Sequence, residues 1–438
     1  MASITTSHSP SSLSVTLHSK LTAVSSEPTG SGKTHHELSA LDRAMAQHTL
    51  HMVFYYRDQD ESFGLHDLDS WRESLSTVLT MYPTMTGRLL LEQGHDGNWQ
   101  VRWNDAGVRV VKGSVDGSLS EWLNSATASQ EKLLASWNHM PVDPTTWSPF
   151  RIQVSNFKEG GVAIGISCSH MLADLTCLAS FIKSWTLVHR NLPITNPPSF
   201  TPLPFSPSSP PPLSNGHAKL PPPQQAKDMA KATFKFSSST MQQCLSNVHH
   251  ICPNATPFDF LCALFWTRIS HLKPLKNNDQ THSLSICIDF RKKLLKEPIP
   301  FGYFGNALHF TMLSLKGEDF GSVVSAVNRH LAGIQEEEIR CAIERLGSSN
   351  RCMYGEELTC VCMESLPYEA KFSDNEKPVH VSCHVGNVAG KGLIMMMPSC
   401  EEGLARTVTV MLPHEELAEL IKDEAILQLD PTTLLSDI

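Results

Sequence analysis

The sequence predicts a mixed α/β protein, and three observations carry that expectation. Short, β-branched apolar runs alternate with segments whose apolar residues recur at helical spacing. A Pro-rich block divides the chain near its middle. A His–Asp pair lies between a buried strand and a helix, where a rigid support can aim a functional side chain. At 438 residues the chain is long enough for two or three domains. A hydrophobic content of 41% with 18% charged residues describes a globular protein with a sizeable core. The net charge of −9, without any Lys/Arg run, argues against nucleic-acid binding. It leaves room for a local basic funnel that would receive an anionic cofactor.

The elements follow in order. Residues 1–35 read as loose, apart from the strand-like alternation of Leu13-Ser-Val-Thr-Leu-His18. Ser39-Ala-Leu-Asp42 has the S-x-x-D pattern of a capping box and starts a short helix. Leu50–Tyr56 is strand-like, and Leu68, Trp71, Leu75 and Leu79 mark an amphipathic helix. Pro83 and Gly87 close that unit. Arg88–Leu91, Trp99–Trp103 and Val108–Val111 are strands expected to complete one sheet. Twelve of the 28 prolines fall between Pro193 and Pro223, a composition that excludes regular helix or sheet. It reads as a crossover linker over 193–228, between a first region, 1–192, and a second, 229–438. A groove-binding Pro-rich ligand is the less favoured reading of it. In the second region Ala232–Phe236 and Leu284–Phe290 are strands, and Thr256–Trp266 starts a buried helix with Pro257 in its first turn. Phe320–Leu346 carries a helical pattern in two pieces. Thr407–Leu412 is a strand, followed by a helix beginning at Pro413.

The candidate site is His170-Met-Leu-Ala-Asp174. Gly161–Cys168 before it reads as a buried strand, and Leu175, Leu178, Phe181, Ile182 and Trp185 after it fall on one face of a helix. A histidine near neutral pH is the usual general base. Asp174, one helical turn on, can orient the region or pair with a buried cation. H-x-x-x-D alone is weak in a chain with 21 histidines, and on spacing alone a core histidine followed by a capping aspartate is the commoner arrangement. The strand–turn–helix context favours the functional alternative. The 12 cysteines are dispersed in apolar runs, which suggests buried thiols in a reducing compartment. Cys360-Val-Cys362 has strand spacing rather than zinc spacing, so no metal is assigned. The N-terminus is polar and no apolar run could span a bilayer. The expectation is a soluble, intracellular protein.

With these features in order, the chain resembles the BAHD acyltransferases of plants over nearly its whole length. The shared elements are Leu38-Ser-Ala-Leu-Asp42, His170-x-x-x-Asp174, the Pro-rich crossover, Ile288-Asp-Phe-Arg291 and Gly302-Tyr-Phe-Gly-Asn306. The resemblance implies two chloramphenicol-acetyltransferase-like domains with mixed sheets and a solvent channel between them. Acyl-CoA would enter from one face as co-substrate, with no resident cofactor, and an acceptor alcohol or amine from the other. His170 would be the general base. Asp174, Arg291, Tyr303, Gly305 and Asn306 would be structural residues near the site. The resemblance also implies a cytoplasmic monomer.

One departure matters. The family carries Asp-Phe-Gly-Trp-Gly where this chain has Tyr368-Glu-Ala-Lys-Phe-Ser-Asp-Asn-Glu-Lys-Pro378. Phe372 matches, Lys371 replaces the aspartate, and the glycines and tryptophan are gone. The segment is therefore expected to be polar, exposed and displaced, with Lys371 in solvent. Arg291 is then expected to need another acid, with Asp374 or Glu369 as candidates. Degeneration of this motif, with Leu358–Cys362 and the stretch from Gly392 to Pro413, resembles the eceriferum-type branch. That resemblance implies an accessory role in very-long-chain fatty-acid elongation for cuticular wax. The partner would be the elongase condensing enzyme, at the cytosolic face of the endoplasmic reticulum. The retained Tyr303-Phe-Gly-Asn306 favours a working CoA-dependent enzyme. A variant enzyme acting on hydroxycinnamoyl-CoA is a third, weaker alternative.

Overall fold

In a computed structural model of the chain, residues 13–57 (without 31 and 33), 68–91, 99–203, 229–272, 281–316 (without 295 and 297), 319–346, 353–354 and 357–438 (without 389 and 402) are described. Most of the Pro-rich crossover, 204–228, lies outside the described residues.

The strands are β1 (Val15–Ala23), β2 (His35–Glu37), β3 (Thr49–Tyr56), β4 (Arg88–Leu91), β5 (Trp99–Arg102), β6 (Val108–Val115), β7 (Phe150–Phe157), β8 (Val162–Ser169), β9 (Met229–Phe236), β10 (Thr281–Asp289), β11 (Leu308–Lys316), β12 (Leu358–Cys362), β13 (His380–Gly386), β14 (Leu393–Pro398), β15 (Arg406–Pro413) and β16 (Thr432–Leu434). They make two sheet-rich domains. One sheet has six strands in the order β1-β6-β7-β8-β3-β13, the other seven in the order β11-β10-β12-β14-β15-β9-β16. Both are mixed, because β6–β7, β10–β12 and β12–β14 run parallel while their other pairs run antiparallel. β2, β5 and β4 form a separate three-stranded sheet. The strands 88–91, 99–102 and 108–115 therefore do not complete one sheet, because the last of them joins the six-stranded sheet instead.

The helices include α1 (Ala40–Ala44), α2 (Leu68–Leu79), α3 (Leu175–His189), α4 (Pro257–Leu272), α5 (Phe320–Gly333) and α6 (Glu336–Leu346). Ser39 and Asp42 close the capping box of α1 reciprocally. Pro413 ends β15 and caps the helix His414–Leu420 rather than starting it.

β8 is buried at every residue. Gly165 explains how one face is covered, since a Cβ there would lie 1.9 Å from the Leu134 carbonyl oxygen. The missing side chain lets the turn at 132–135 close on the strand, where Gln153 and Ser167 tie it down by donating to Leu133 O and Ser136 O. The other connections lie between the domains. β13 reaches back from the second half of the chain to pair with β3. Lys231 of β9 forms a buried ion pair with Glu131 at 2.7 Å, and Tyr55 donates to the same carboxylate. Burial works against ionisation of Glu131, yet Lys231 holds its carboxyl below the usual range.

Candidate active site

His170 stands at the exit of β8, in a turn whose backbone is held by its own N–H donating to His48 O. It is 1% exposed. Its Nδ1 lies 3.0 Å from the Ala173 carbonyl oxygen. A carbonyl only accepts, so Nδ1 carries the proton and Nε2 presents its lone pair. Burial holds the imidazole below its ordinary pKa, which keeps the ring neutral at neutral pH. The structure thus contains a neutral histidine of fixed tautomer with a basic nitrogen. That nitrogen lies 3.0 Å from the Tyr354 hydroxyl, the donor of this pair.

Asp174 is the N-cap of α3 and accepts from Cys177 N–H. It also accepts from Ala307 N–H at 3.0 Å and from both terminal nitrogens of Arg291, at 2.8 and 3.2 Å. The two side chains are each 1% exposed. Burial works to raise the carboxyl's pKa, but Arg291 and these hydrogen bonds hold it below the usual carboxylate range. Asp174 therefore points away from the imidazole and fastens α3 to the second domain. Arg291 donates further to Asp289 and to the carbonyls of Tyr303 and Gly305.

Asn306 completes the junction. Its side-chain amide donates to His170 O at 2.8 Å and to Asp42 Oδ1 at 2.9 Å. The loop carrying it is steered by Pro197 and Ser199, at the start of the crossover. Gly302 O accepts from Ser199 N–H, and Ser199 O accepts from Phe304 N–H. A Cβ at Gly302 would lie 2.1 Å from Pro197 O, so this approach requires glycine. His170, Asp174, Arg291, Tyr303, Gly305 and Asn306 are thus one contiguous group across the two domains. Tyr354, Asp289 and Asp42 belong to it although sequence reading did not place them there. In the sequence Asp42 reads as a helix cap and as the last residue of the shared Leu38-Ser-Ala-Leu-Asp42 element, with no sign of its contact to Asn306. Asp289 lay unnoticed inside Ile288-Asp-Phe-Arg291. No sequence signal marks Tyr354.

The expectations for Tyr368–Pro378 need correction. Arg291 has its second acid in Asp289, at 2.9 Å, and not in Asp374 or Glu369. Asp374 pairs with Arg190 instead. The segment is not wholly polar and exposed either. Phe372 is buried and stacks on Trp71 at 4.8 Å, with Trp185 edge-on at 5.2 Å. Ala370 O accepts from Tyr56 Oη. One aromatic ring in an aromatic box holds the segment without glycines or tryptophan. Lys371 is half-exposed and outside the partner set of Arg291.

A cavity of about 500 Å³ reaches His170 and Tyr354. Thr256 and Pro257 at the start of α4, Asp289, and Lys292 and Lys293 also line it. Lys293 donates to Leu331 O, and the Lys292 ammonium lies over the Phe301 ring. Among the described residues no group of His, Cys, Asp or Glu is arranged to hold a metal ion, and no helix is long and apolar enough to cross a membrane. The eleven described cysteines are free, eight of them buried.

The family model "Transferase family" matches residues 13–427. A hydroxycinnamoyltransferase of Narcissus pseudonarcissus is 25% identical over 420 residues, covering 88% of this chain and 93% of that one. Protein ECERIFERUM 2 of Arabidopsis thaliana is 25% identical over 412 residues, covering 88% and 92%. In fold, vinorine synthase superposes with a TM-score of 0.73 at 19% identity, covering 93% of this chain and 98% of that one. TRI101 of F. graminearum, complexed with coenzyme A and deoxynivalenol, gives 0.68 at 16% identity, covering 90% and 99%. The match over nearly all of the chain, on two mixed-sheet domains joined through His170, Asp174 and Arg291, places this protein in the BAHD transferase family.

Proposed function

We propose that the protein transfers an acyl group from acyl-CoA to a hydroxyl or amine, with His170 as the general base. The observation that carries this reading is the fixed tautomer of a buried, neutral imidazole beside the 500 Å³ cavity. Nε2 is the ring nitrogen that carries a lone pair, which is what proton removal from an acceptor requires. The bond changes are simple. The acceptor heteroatom attacks the thioester carbonyl as Nε2 takes its proton. The carbon–sulfur bond then breaks, and the imidazolium returns the proton to the CoA thiolate. The cavity is the donor side in this reading. Lys292 and Lys293 supply positive charge for a polyanionic donor on a chain that is acidic overall. The coenzyme A bound by TRI101, of the same fold, supports that choice. Asp174, Arg291 and Asn306 fix the turn that carries His170 and stay off the substrate.

The test is incubation of purified protein with acetyl-, long-chain and hydroxycinnamoyl-CoA, with and without pooled alcohols and amines. Acceptor-dependent release of free CoA that His170→Ala abolishes is expected. Equal release by wild type and His170→Ala would end the base assignment.

A second reading is the eceriferum-type accessory role in very-long-chain elongation, beside the elongase condensing enzyme. It is favoured by the altered Tyr368–Pro378 segment, by the similarity to Protein ECERIFERUM 2, and by the Tyr354 hydroxyl already sitting on Nε2. Support of elongation by His170→Ala would select it.

A further inference from the structure

Tyr354 stands where the acyltransfer reading needs the acceptor. Its hydroxyl is 3.0 Å from His170 Nε2, the reach of a general base to the proton it takes. The phenol ring lies over the imidazole at 5.7 Å. His48 and Phe310 meet it edge-on, at 4.9 and 5.2 Å. It is 2% exposed and lines the same cavity as His170. Because Nδ1 is committed to Ala173, Nε2 has one lone pair, and the phenol uses it. An outside hydroxyl and Tyr354 cannot both donate to it.

We propose that Tyr354 is the gate of the acceptor position and determines which acceptors reach His170. Acyl transfer to an outside nucleophile then proceeds only from conformers in which the phenol has left Nε2. While it is in place, an acyl thioester can occupy the cavity beside a base that admits no acceptor. The place it vacates has aromatic walls in His48, Phe310 and the imidazole itself. That shape fits an aromatic hydroxyl better than an aliphatic one. The proposal rests on the reading of His170 as the base and of the cavity as the donor site.

The test uses a probe shaped like the missing side chain. Tyr354→Ala is given the acyl-CoA panel with p-cresol, whose ring and hydroxyl match those of tyrosine. The cresol oxygen attacks the thioester as its proton passes to Nε2. The carbon–sulfur bond breaks, and CoA leaves as the thiol, giving a cresyl ester measured by mass spectrometry. The expected result is ester formation about two- to tenfold above wild type, the weight of one displaced hydrogen bond. Ethoxycarbonylation of His170 by diethyl pyrocarbonate should rise by a similar factor in the same variant without any acyl-CoA. That second readout separates the two claims. A reactive His170 with no CoA release from any donor keeps the gate and removes the acyltransfer reading. Unchanged reactivity of His170 overturns the gate. So does an acyl adduct on Tyr354 of the wild type, which would make the phenol an acceptor rather than a barrier. If Tyr354→Ala does not fold, Tyr354→Phe decides. It keeps the ring and removes the hydroxyl that donates to Nε2, so the 15N NMR resonance of Nε2 must move as that hydrogen bond is lost. An unmoved resonance overturns the proposal.

Discussion

Asp174→Ala is the most demanding perturbation of this junction. The carboxylate accepts from four donors, namely Cys177 N–H, Ala307 N–H and two nitrogens of Arg291. Its removal leaves Asp289, held through one nitrogen at 2.9 Å, as the one carboxylate on buried Arg291, beside the carbonyls of Tyr303 and Gly305. Stripping a buried ion pair of one partner costs about 3–5 kcal/mol. Loss of the α3 cap adds about 1 kcal/mol. Asp174→Asn keeps an oxygen for the cap and loses the charge, for which about 2 kcal/mol is reasonable. Stabilities of whole domains are about 5–15 kcal/mol, so the alanine variant should lose a large fraction of its soluble yield. The assay is urea unfolding followed by near-UV circular dichroism. The midpoint is compared rather than a single free energy, because two domains need not unfold in one step. The expected order of midpoints is wild type, Asp174→Asn, Asp174→Ala. An alanine variant with the wild-type midpoint, or one more stable than the asparagine variant, would refute the clamp.

Other expectations follow from the same geometry. His170→Ala should lower turnover by about 10²–10⁴-fold with an unchanged circular dichroism spectrum; wild-type turnover would exclude the base. Phe372→Ala should cost about 3–5 kcal/mol by emptying the box of Trp71, Trp185, Tyr56 and His189, measured as a lowered melting temperature; an unchanged value would mean that the segment is not anchored there. Acid should destabilise the fold in two stages. His48, His51 and His380 are held neutral by burial, with pKa values of about 4 against an ordinary 6.5. Between those values the unfolded chain binds more protons, so stability falls as pH drops from about 6.5 to 4. Asp174 and Glu131 have folded values below their unfolded ones. Their contribution is complete above the ordinary carboxyl range and is lost as pH falls from there through their lower folded values. Melting temperatures flat from pH 7 to 4 would contradict the first stage.

What the sequence revealed was mostly local. β8, the His170 turn and α3 are contiguous, so strand composition, helix face and N-cap could all be read in one window. The box at Ser39–Asp42 was equally legible, but its second duty was not. Asp42 meets Asn306 through the chain's three-dimensional path, which no spacing encodes. The same holds for Tyr354 on His170 and for β13 beside β3. At Tyr368–Pro378 the difference between sequence and structure has another cause. Motif loss suggests loss of packing, whereas Phe372, with buried Ala370 beside it, supplies the apolar surface that holds the segment. Its surroundings, Trp71 and Trp185, come from helices read correctly but never paired with it.

The position of β13 bears on how the protein is made. During synthesis β3 leaves the ribosome early and β8 soon covers one of its edges, but β13, its antiparallel partner on the other edge, follows only when most of the chain has been translated. Until then β3 has one unpaired edge, a row of free backbone donors and acceptors open to any other strand. Its apolar residues Met52 to Tyr56 make that edge sticky in a nascent chain. A fragment ending before His380 would keep the open edge permanently. Such fragments should be recovered mainly in aggregates or bound to chaperones, however well formed the rest of the first sheet is.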